Sequence, residues 1–193
     1  MARPREFDTN EVLDVALGVF WESGFQGTTL ATIEEATGVK KASLFAAYGD
    51  KESLFTKAIE RYTSDGRELF RNIVNKSSSP KEAIREWLAC VGQMYVGAKS
   101  RRGCLAVNTI VEMASLEVGA NEVLQRHMKQ FSKQIAEQFA KGIENGEFRS
   151  DIAPAVAAKF LLSCVSGLSV TGKNGLSKTE MASSIELILG ALE

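Results

Sequence analysis

An all-α fold of about nine helices is predicted for this chain of 193 residues, on three observations. Only three prolines occur, at positions 4, 80 and 154, so long stretches are free to be helical. Apolar residues recur every three or four positions through most of the chain, which is typical of amphipathic helices. No segment shows a convincing alternation of apolar and polar residues that would favour a strand.

The first three helices are predicted to be short and closely spaced. The first covers about residues 9–23 and ends at Gly24. The second begins near residue 28 and ends at Gly38, which is placed to adopt the left-handed conformation. The third runs from Lys40 to Ala46. This is the layout of a helix-turn-helix, which lays its second helix in the DNA major groove.

The later helices have clear start signals. Asp50 is a good N-cap for a long helix that reaches the low seventies. Ser79 and Pro80 combine an N-cap with a proline at the first helical position, and Ser177 and Glu180 form a capping box. The other helices are predicted over about residues 80–98, 104–114, 119–145, 154–171 and 178–192.

Two domains are expected, joined within or near the long helix rather than by a flexible linker. Residues 1–50 would form the helix-turn-helix unit, and residues 51–193 would form a helical bundle large enough to enclose a cavity. The formal net charge is only −1, and residues 1–61 hold seven Lys and Arg against ten Asp and Glu. DNA binding would therefore depend on a few locally placed cations.

Composition argues against several other classes of protein. The three cysteines are widely spaced and form neither a metal motif nor a disulfide framework, so a reduced cytoplasmic setting is expected. No apolar run approaches the length of a membrane span, and no signal peptide is expected. With a single histidine, His127, expected on the surface, and no nucleophile or phosphate-loop motif, neither an enzyme nor a cofactor is predicted.

The residues that begin the second helix of such a motif face base edges. Lysine can donate to guanine, serine can bond to several bases, and an alanine methyl can contact a thymine methyl. The residues expected to face bases are Lys40, Lys41, Ala42 and Ser43. Residues expected at phosphates, from helix starts or through a hydroxyl, are Thr28, Thr29, Tyr48 and Lys51, with Arg3 and Arg5 in an N-terminal arm.

The N-terminal motif resembles that of the TetR/AcrR family of repressors over about residues 7–56. The positions that carry the resemblance are Val12, Leu13, Ala16, Phe20, Gly24, Phe25, Thr28, Thr29, Ile33, Gly38, Val39, Ser43, Leu44, Phe45, Lys51, Leu54 and Phe55. Phe45 replaces the family's usual tyrosine, so it joins the DNA-binding set without a hydroxyl, and a place in the core is its alternative. Glu34 replaces a common alanine and is expected to point outward.

The resemblance implies a homodimer that binds a palindromic double-stranded operator and a small-molecule effector. It assigns the dimer contact to the last two helices, in a two-fold four-helix interface that would set the two recognition helices about 34–36 Å apart. The interface residues expected there are Phe160, Leu161, Cys164, Leu168, Ile185, Ile188 and Leu189. A place in the core of the monomer is their alternative.

An effector pocket would be lined from the middle helices, and few charges lie on their inward faces. An apolar or aromatic effector is therefore expected. The candidate lining residues are Trp87, Val91, Met94, Tyr95, Asn108, Val111, Phe131, Ile135 and Phe139. Because these are also typical core residues, a plain core is the alternative for each of them.

Cys104 offers a different form of control. It follows Arg101, Arg102 and Gly103 at a predicted helix start, and positive charge and a helix N-terminus both favour a reactive thiolate. The leading hypothesis is a repressor released from DNA by a largely apolar effector. The alternatives are a repressor that senses oxidants or electrophiles through Cys104, and a helical ligand-binding module that does not bind DNA.

Overall fold

The computed structural model describes residues 7–97, 101–113 and 119–193 of the chain. Within these ranges the chain forms nine α-helices and no strand, which confirms the predicted fold class. The helices are α1 (Thr9–Gly27), α2 (Leu30–Thr37), α3 (Lys41–Tyr48), α4 (Lys51–Lys76), α5 (Pro80–Met94), α6 (Leu105–Met113), α7 (Gly119–Glu144), α8 (Pro154–Lys173) and α9 (Lys178–Gly190).

Helix α1 contains a break at Gly24, where the sequence predicts its end. Gly24 has φ 72° and ψ 177°, and helical turns resume after it as far as Gly27. Asp8 caps the start of α1, because its carboxylate accepts hydrogen bonds from the backbone N–H groups of Asn10 and Glu11. The positive φ of Gly24 is a conformation that a residue with a Cβ rarely adopts.

Helices α2 and α3 form the predicted helix-turn-helix. Thr29 caps α2 in a reciprocal arrangement with Thr32, in which each side chain accepts a hydrogen bond from the other's backbone N–H. Gly38 ends α2 in the left-handed conformation, with φ 69°, and its N–H donates to the Glu34 carbonyl at 2.8 Å. Leu44 of α3 is buried against the other helices of this N-terminal unit, α1–α3.

Helix α4 runs through both parts of the molecule. It starts at the predicted cap, Asp50, whose carboxylate accepts the Ser53 N–H at 2.7 Å. Near its start Leu54 and Phe55 pack in a core with α1–α3, whereas Phe70 packs in a second core with the C-terminal bundle, α5–α9. The first core also includes residues of α6 and α7, so it extends well past residue 50.

The first and last helices of the C-terminal bundle, α5 and α9, start at the predicted caps. Ser79 Oγ accepts the Glu82 N–H at 3.3 Å, and Ser177 and Glu180 form a complete capping box. Helix α5 ends at Met94, about four residues before its predicted end. Among the described helices, α8 alone is long and apolar enough to span a membrane, by length and composition only, a test that core helices also pass.

Candidate nucleic-acid interface and cavity

The exposed face of α3 carries most of the residues predicted to contact bases. Lys41, Ala42 and Ser43 occupy its first turn and are all exposed, while Leu44 on the opposite face is 1 % exposed. Lys40 is also exposed but lies at the N-cap, one residue before the helix. The start of α3 therefore exposes two hydrogen-bond donors, Lys41 and Ser43, and between them the methyl group of Ala42.

Glu34 lies at the surface, where its side chain reaches the start of α3. Its carboxylate accepts a hydrogen bond from the Lys41 backbone N–H at 2.8 Å and from Lys40 Nζ at 3.0 Å. These bonds, the backbone one first, hold the pKa of Glu34 below its ordinary value. Since Lys40 has no capping side chain of its own, Glu34 caps α3 from the preceding helix.

Phe45 is on the surface, so its alternative assignment to the core is wrong. Its side chain is 60 % exposed, one turn after Lys41 on the same face of α3. The apolar positions of α3 are therefore divided between two faces, with Leu44 buried and Phe45 in solvent.

Three residues predicted at phosphates instead bond to backbone carbonyls inside the N-terminal unit. Thr28 is fully buried, and its hydroxyl donates to the Gly24 carbonyl at 2.6 Å. The Tyr48 hydroxyl donates to the Thr9 carbonyl at 2.5 Å. Lys51 Nζ donates to the Phe25 and Thr28 carbonyls, both at 3.0 Å. For Thr28 and Tyr48, which are buried, the predicted direct phosphate contact is wrong, whereas for the half-buried Lys51 it stays a prediction.

Thr29 is the one residue of the predicted phosphate set that remains exposed among those described. It is the N-cap of α2, so exposed backbone N–H groups lie beside it. Arg3 and Arg5, the predicted N-terminal arm, lie outside the described residues.

A cavity of about 480 Å³, partly open to solvent, lies in the C-terminal part of the molecule and is lined by α4, α5, α6, α7 and α8, with α1 at one side. Its wall is mostly apolar and aromatic. The predicted pocket residues Trp87, Val91, Met94, Tyr95 and Phe131 line it. Its size suits a small organic ligand.

The other predicted pocket residues lie elsewhere. Ile135 and Phe139 are fully buried in the second core, and Val111 is 73 % exposed on the outer face of α6. The Asn108 side chain donates to the Arg102 carbonyl at 2.8 Å and is absent from the cavity wall. The helical period identified the apolar stripes of α6 and α7 but not which part of each stripe meets the cavity.

A cluster of three polar side chains interrupts the apolar wall. The Tyr62 hydroxyl donates to Cys104 Sγ at 3.3 Å, and Tyr95 also hydrogen-bonds to Cys104. Burial raises the pKa of Tyr62 and of Tyr95, and the neighbouring Cys104 adds to the rise. Both tyrosines are therefore neutral donors at any physiological pH.

His127 and the two tryptophans also contact the cavity. His127 is half-buried in the wall rather than on the surface as predicted, and burial, then Arg67 and Arg126, lower its pKa. Trp21 Nε1 donates to the Gly103 carbonyl at 3.0 Å, and the Trp21 ring meets the Tyr62 ring edge-on at 5.0 Å. Sequence reasoning missed Trp21, because it treated α1 as part of the DNA-binding unit alone.

The predicted dimer residues are divided between core and surface. Leu161 and Leu189 are 0 % and 1 % exposed and fill the second core, so for them the core alternative holds and the interface assignment is wrong. Ile185 and Ile188 are also buried, Cys164 and Leu168 are half-buried, and Phe160 is 41 % exposed. The exposed apolar side chains of α8 and α9 are Val156, Phe160, Val170 and Leu187.

Two families of known proteins match the chain. Residues 12–58 match the family described as bacterial regulatory proteins, tetR family. Residues 80–182 match the family described as tetracyclin repressor-like, C-terminal domain, and this match alone covers more than half of the chain. The two matches together span both parts of the molecule.

Individual relatives and solved structures agree with these matches. The HTH-type transcriptional repressor ComR of Escherichia coli strain K12 is 27% identical over 178 residues, covering 91% of this chain and 84% of ComR. The HTH-type transcriptional repressor DhaR of Mycobacterium sp. strain GP1 is 25% identical over 175 residues, covering 90% and 86%. A cysteine mutant of the TetR family regulator CifR, solved with a 26-bp double-strand operator DNA, superposes with a TM-score of 0.85 at 27% identity, covering 100% of both chains.

Proposed function

Because the chain belongs to the TetR family of bacterial regulatory proteins, we propose that it is a homodimeric repressor released from operator DNA by a small effector. The observation that carries this proposal is the exposed first turn of α3, which presents Lys41, Ala42 and Ser43 to solvent. A regulator of this kind acts by binding rather than by catalysis, and it works beside the chromosome in the cytoplasm. A ligand-binding module without DNA affinity has no support among the relatives.

The proposed roles follow from chemistry and exposure. Lys41 and Ser43 contact base edges, and Ala42 contacts a thymine methyl. Thr29 and the adjacent N–H groups of α2 bind a phosphate, and Phe45 packs against the sugar-phosphate backbone. Residues 1–50 act as the DNA-binding domain, and residues 51–193 carry the effector site and the dimer contact.

The effector proposed is a small, largely apolar or aromatic molecule. The cavity of about 480 Å³ has aromatic walls formed by Trp87, Tyr95 and Phe131, and its tyrosine hydroxyl oxygens can accept a hydrogen bond from a ligand. An effector that prefers the conformation unable to bind DNA lowers operator affinity by its differential binding, typically about 1–3 kcal/mol.

Selection of bound sequences from a random pool of double-stranded DNA tests the proposal. A palindromic consensus is expected, with half-sites about one helical turn apart. Lys41→Ala and Ser43→Ala should each weaken binding to that consensus by about 1–3 kcal/mol. Lys57→Ala removes an equal charge from an exposed site on α4 and should leave sequence preference unchanged. Failure to select any consensus would reject DNA-sequence recognition.

Control through Cys104 is the second candidate, favoured by the position of this thiol in the cavity wall beside Tyr62 and Tyr95. An electrophile small enough for the cavity would reach it there. Labelling of the native protein with a maleimide, with Cys104→Ser as the control, measures its reactivity. A Cys104 that stays unlabelled, or a Cys104→Ser variant that responds to oxidant like the wild type, would exclude this candidate.

A further inference from the structure

The side chain of Glu112, near the end of α6, contacts the segment 25–29, which comprises the last turn of α1 after the break at Gly24 and the link to α2 and is here called the α1–α2 turn. Its two carboxylate oxygens accept hydrogen bonds from the backbone N–H groups of Phe25, at 2.9 Å, and Gln26, at 2.7 Å. The donors and the acceptor are 86 and 87 positions apart in the sequence. A residue of the C-terminal bundle thus bonds directly to the backbone that leads into the helix-turn-helix.

The two N–H groups depend on an outside acceptor because Gly24 interrupts the hydrogen bonding of α1. After such a break, the next N–H groups lack the carbonyl partners of a continuous helix. A Cβ at Gly24 would lie 2.8 Å from Glu112 Oε2, so the absence of a side chain there also lets the carboxylate approach. Hydrogen bonds to a carboxylate are roughly twice as strong as those between neutral groups.

The carbonyls of the same turn are bonded from the other side. Lys51 Nζ donates to the Phe25 and Thr28 carbonyls, and it lies 4.2 Å from the centroid of the Phe25 ring. The Phe25 ring packs 5.0 Å from the ring of Phe55. The turn is therefore fixed between α4 and α6, and it ends at Thr29, the N-cap of α2.

The opposite end of α6 lines the cavity. Cys104, Ala106 and Val107 all contribute to its wall. Val107 precedes Glu112 by five residues, which is about 7.5 Å along a helix. A shift of α6 caused by a molecule in the cavity would move the Glu112 carboxylate, since a nine-residue helix moves nearly as one body.

We propose that Glu112 is the positioning residue through which occupancy of the cavity changes the placement of α2 and α3. The inference rests on the proposed function, because it concerns control of DNA affinity by the cavity. Glu112 is not one of the residues that line the cavity. Its role is to make the position of the α1–α2 turn follow the position of α6.

Amide hydrogen exchange of the full chain tests the positioning step without DNA or effector. In Glu112→Ala, the Phe25 and Gln26 amides should exchange at least about tenfold faster, because both lose their acceptor. Glu112→Gln keeps one oxygen and should retain part of the protection. Glu22→Ala, which removes an exposed ion pair with Arg102 across the same junction, should leave both amides unchanged.

A substitution that fills the cavity tests whether cavity occupancy changes operator affinity through Glu112. The larger side chain takes the place of an effector. Val107→Phe places a larger side chain in the cavity wall, and we expect it to change affinity for the selected operator by about fivefold or more. In the Glu112→Ala background the same substitution should change affinity by less than about twofold. Leu162→Phe on α8 repeats the test from another wall, for the case that Val107→Phe does not fold.

The proposal is overturned if filling the cavity changes operator affinity equally in the wild-type and Glu112→Ala backgrounds. It is also overturned if the Phe25 and Gln26 amides exchange at the same rate in Glu112→Ala as in the wild type. The same holds if filling the cavity leaves operator affinity unchanged in the wild-type background. If the wild-type chain selects no DNA sequence, the proposed function fails instead. The exchange experiment then still decides whether Glu112 fixes the turn.

Discussion

At the scale of single residues, two described cations at the starts of α3 and α4 already have partners within the protein. Lys40 is paired with Glu34, and Lys51 is bonded to two carbonyls. The exposure of Lys41, Ala42 and Ser43 was predictable, because it follows from the position of the helix-turn-helix. The partners of Thr28, Tyr48 and Lys51 were not, since each bonds to a carbonyl that periodicity does not place nearby.

Replacing Glu34 by glutamine should strengthen binding to random-sequence DNA several-fold. The substitution removes a negative charge beside α3 and releases Lys40 to bind a phosphate. One added phosphate contact steepens the slope of log affinity against log salt by about 0.9. Fluorescence anisotropy at several salt concentrations measures both quantities. Glu35→Gln is the control, because Glu35 is exposed and does not pair with Lys40; equal changes in the two variants would contradict this role of Glu34.

At the scale of helices and turns, signals carried by a few neighbouring residues were predicted correctly. The caps formed by Asp50, Ser79 and Ser177 and the stop at Gly38 are examples. Each depends on contacts within about four positions. The cavity residues were predicted only in part, because an apolar stripe shows that a helix face is buried without showing whether it meets a cavity or a packed core.

Replacing Gly38 by alanine should destabilise the N-terminal unit by about 1–2 kcal/mol, the typical cost of a left-handed conformation for a residue with a Cβ. Gly38 has φ 69°, and a Cβ added there would meet no heavy atom within 4 Å, so the cost comes from the backbone alone. Urea unfolding of the full chain measures it. Gly66→Ala, inside α4 and equally open, should instead be stabilising by up to about 1 kcal/mol. Similar changes in the free energy of unfolding at both positions would show that the left-handed conformation of Gly38 is not the source of the cost.

At the scale of the whole molecule, the outer faces of α8 and α9 carry exposed apolar side chains that a second copy would cover. Leu187 is 76 % exposed and Val170 is 54 % exposed. The prediction that these two helices form the interface stays a prediction, but of the exposed residues that would carry it only Phe160 was expected, whereas Val170 and Leu187 were not. Helical periodicity alone could not distinguish the face toward the core from the face toward a partner when both are apolar.

The double substitution Phe160→Glu and Leu187→Glu should convert the dimer to a monomer, because charges replace apolar groups at the proposed interface. Analytical ultracentrifugation measures the mass, and operator affinity should fall with it, since one half-site is lost from each complex. Val15→Glu, at a comparably exposed apolar site on α1, should remain dimeric. A dimer that persists in the double variant would place the interface elsewhere.

The intrinsic fluorescence of the two tryptophans of this chain can report on the cavity. Trp21 and Trp87 both line the cavity, and the chain has no third tryptophan whose emission would obscure theirs. The Trp21 indole also bonds to Gly103, just before α6, so its emission is sensitive to movement at that junction. Libraries of small aromatic compounds can therefore be screened on the unlabelled protein by its intrinsic fluorescence. The Trp21→Phe and Trp87→Phe variants would distinguish a ligand in the cavity from a movement at the start of α6.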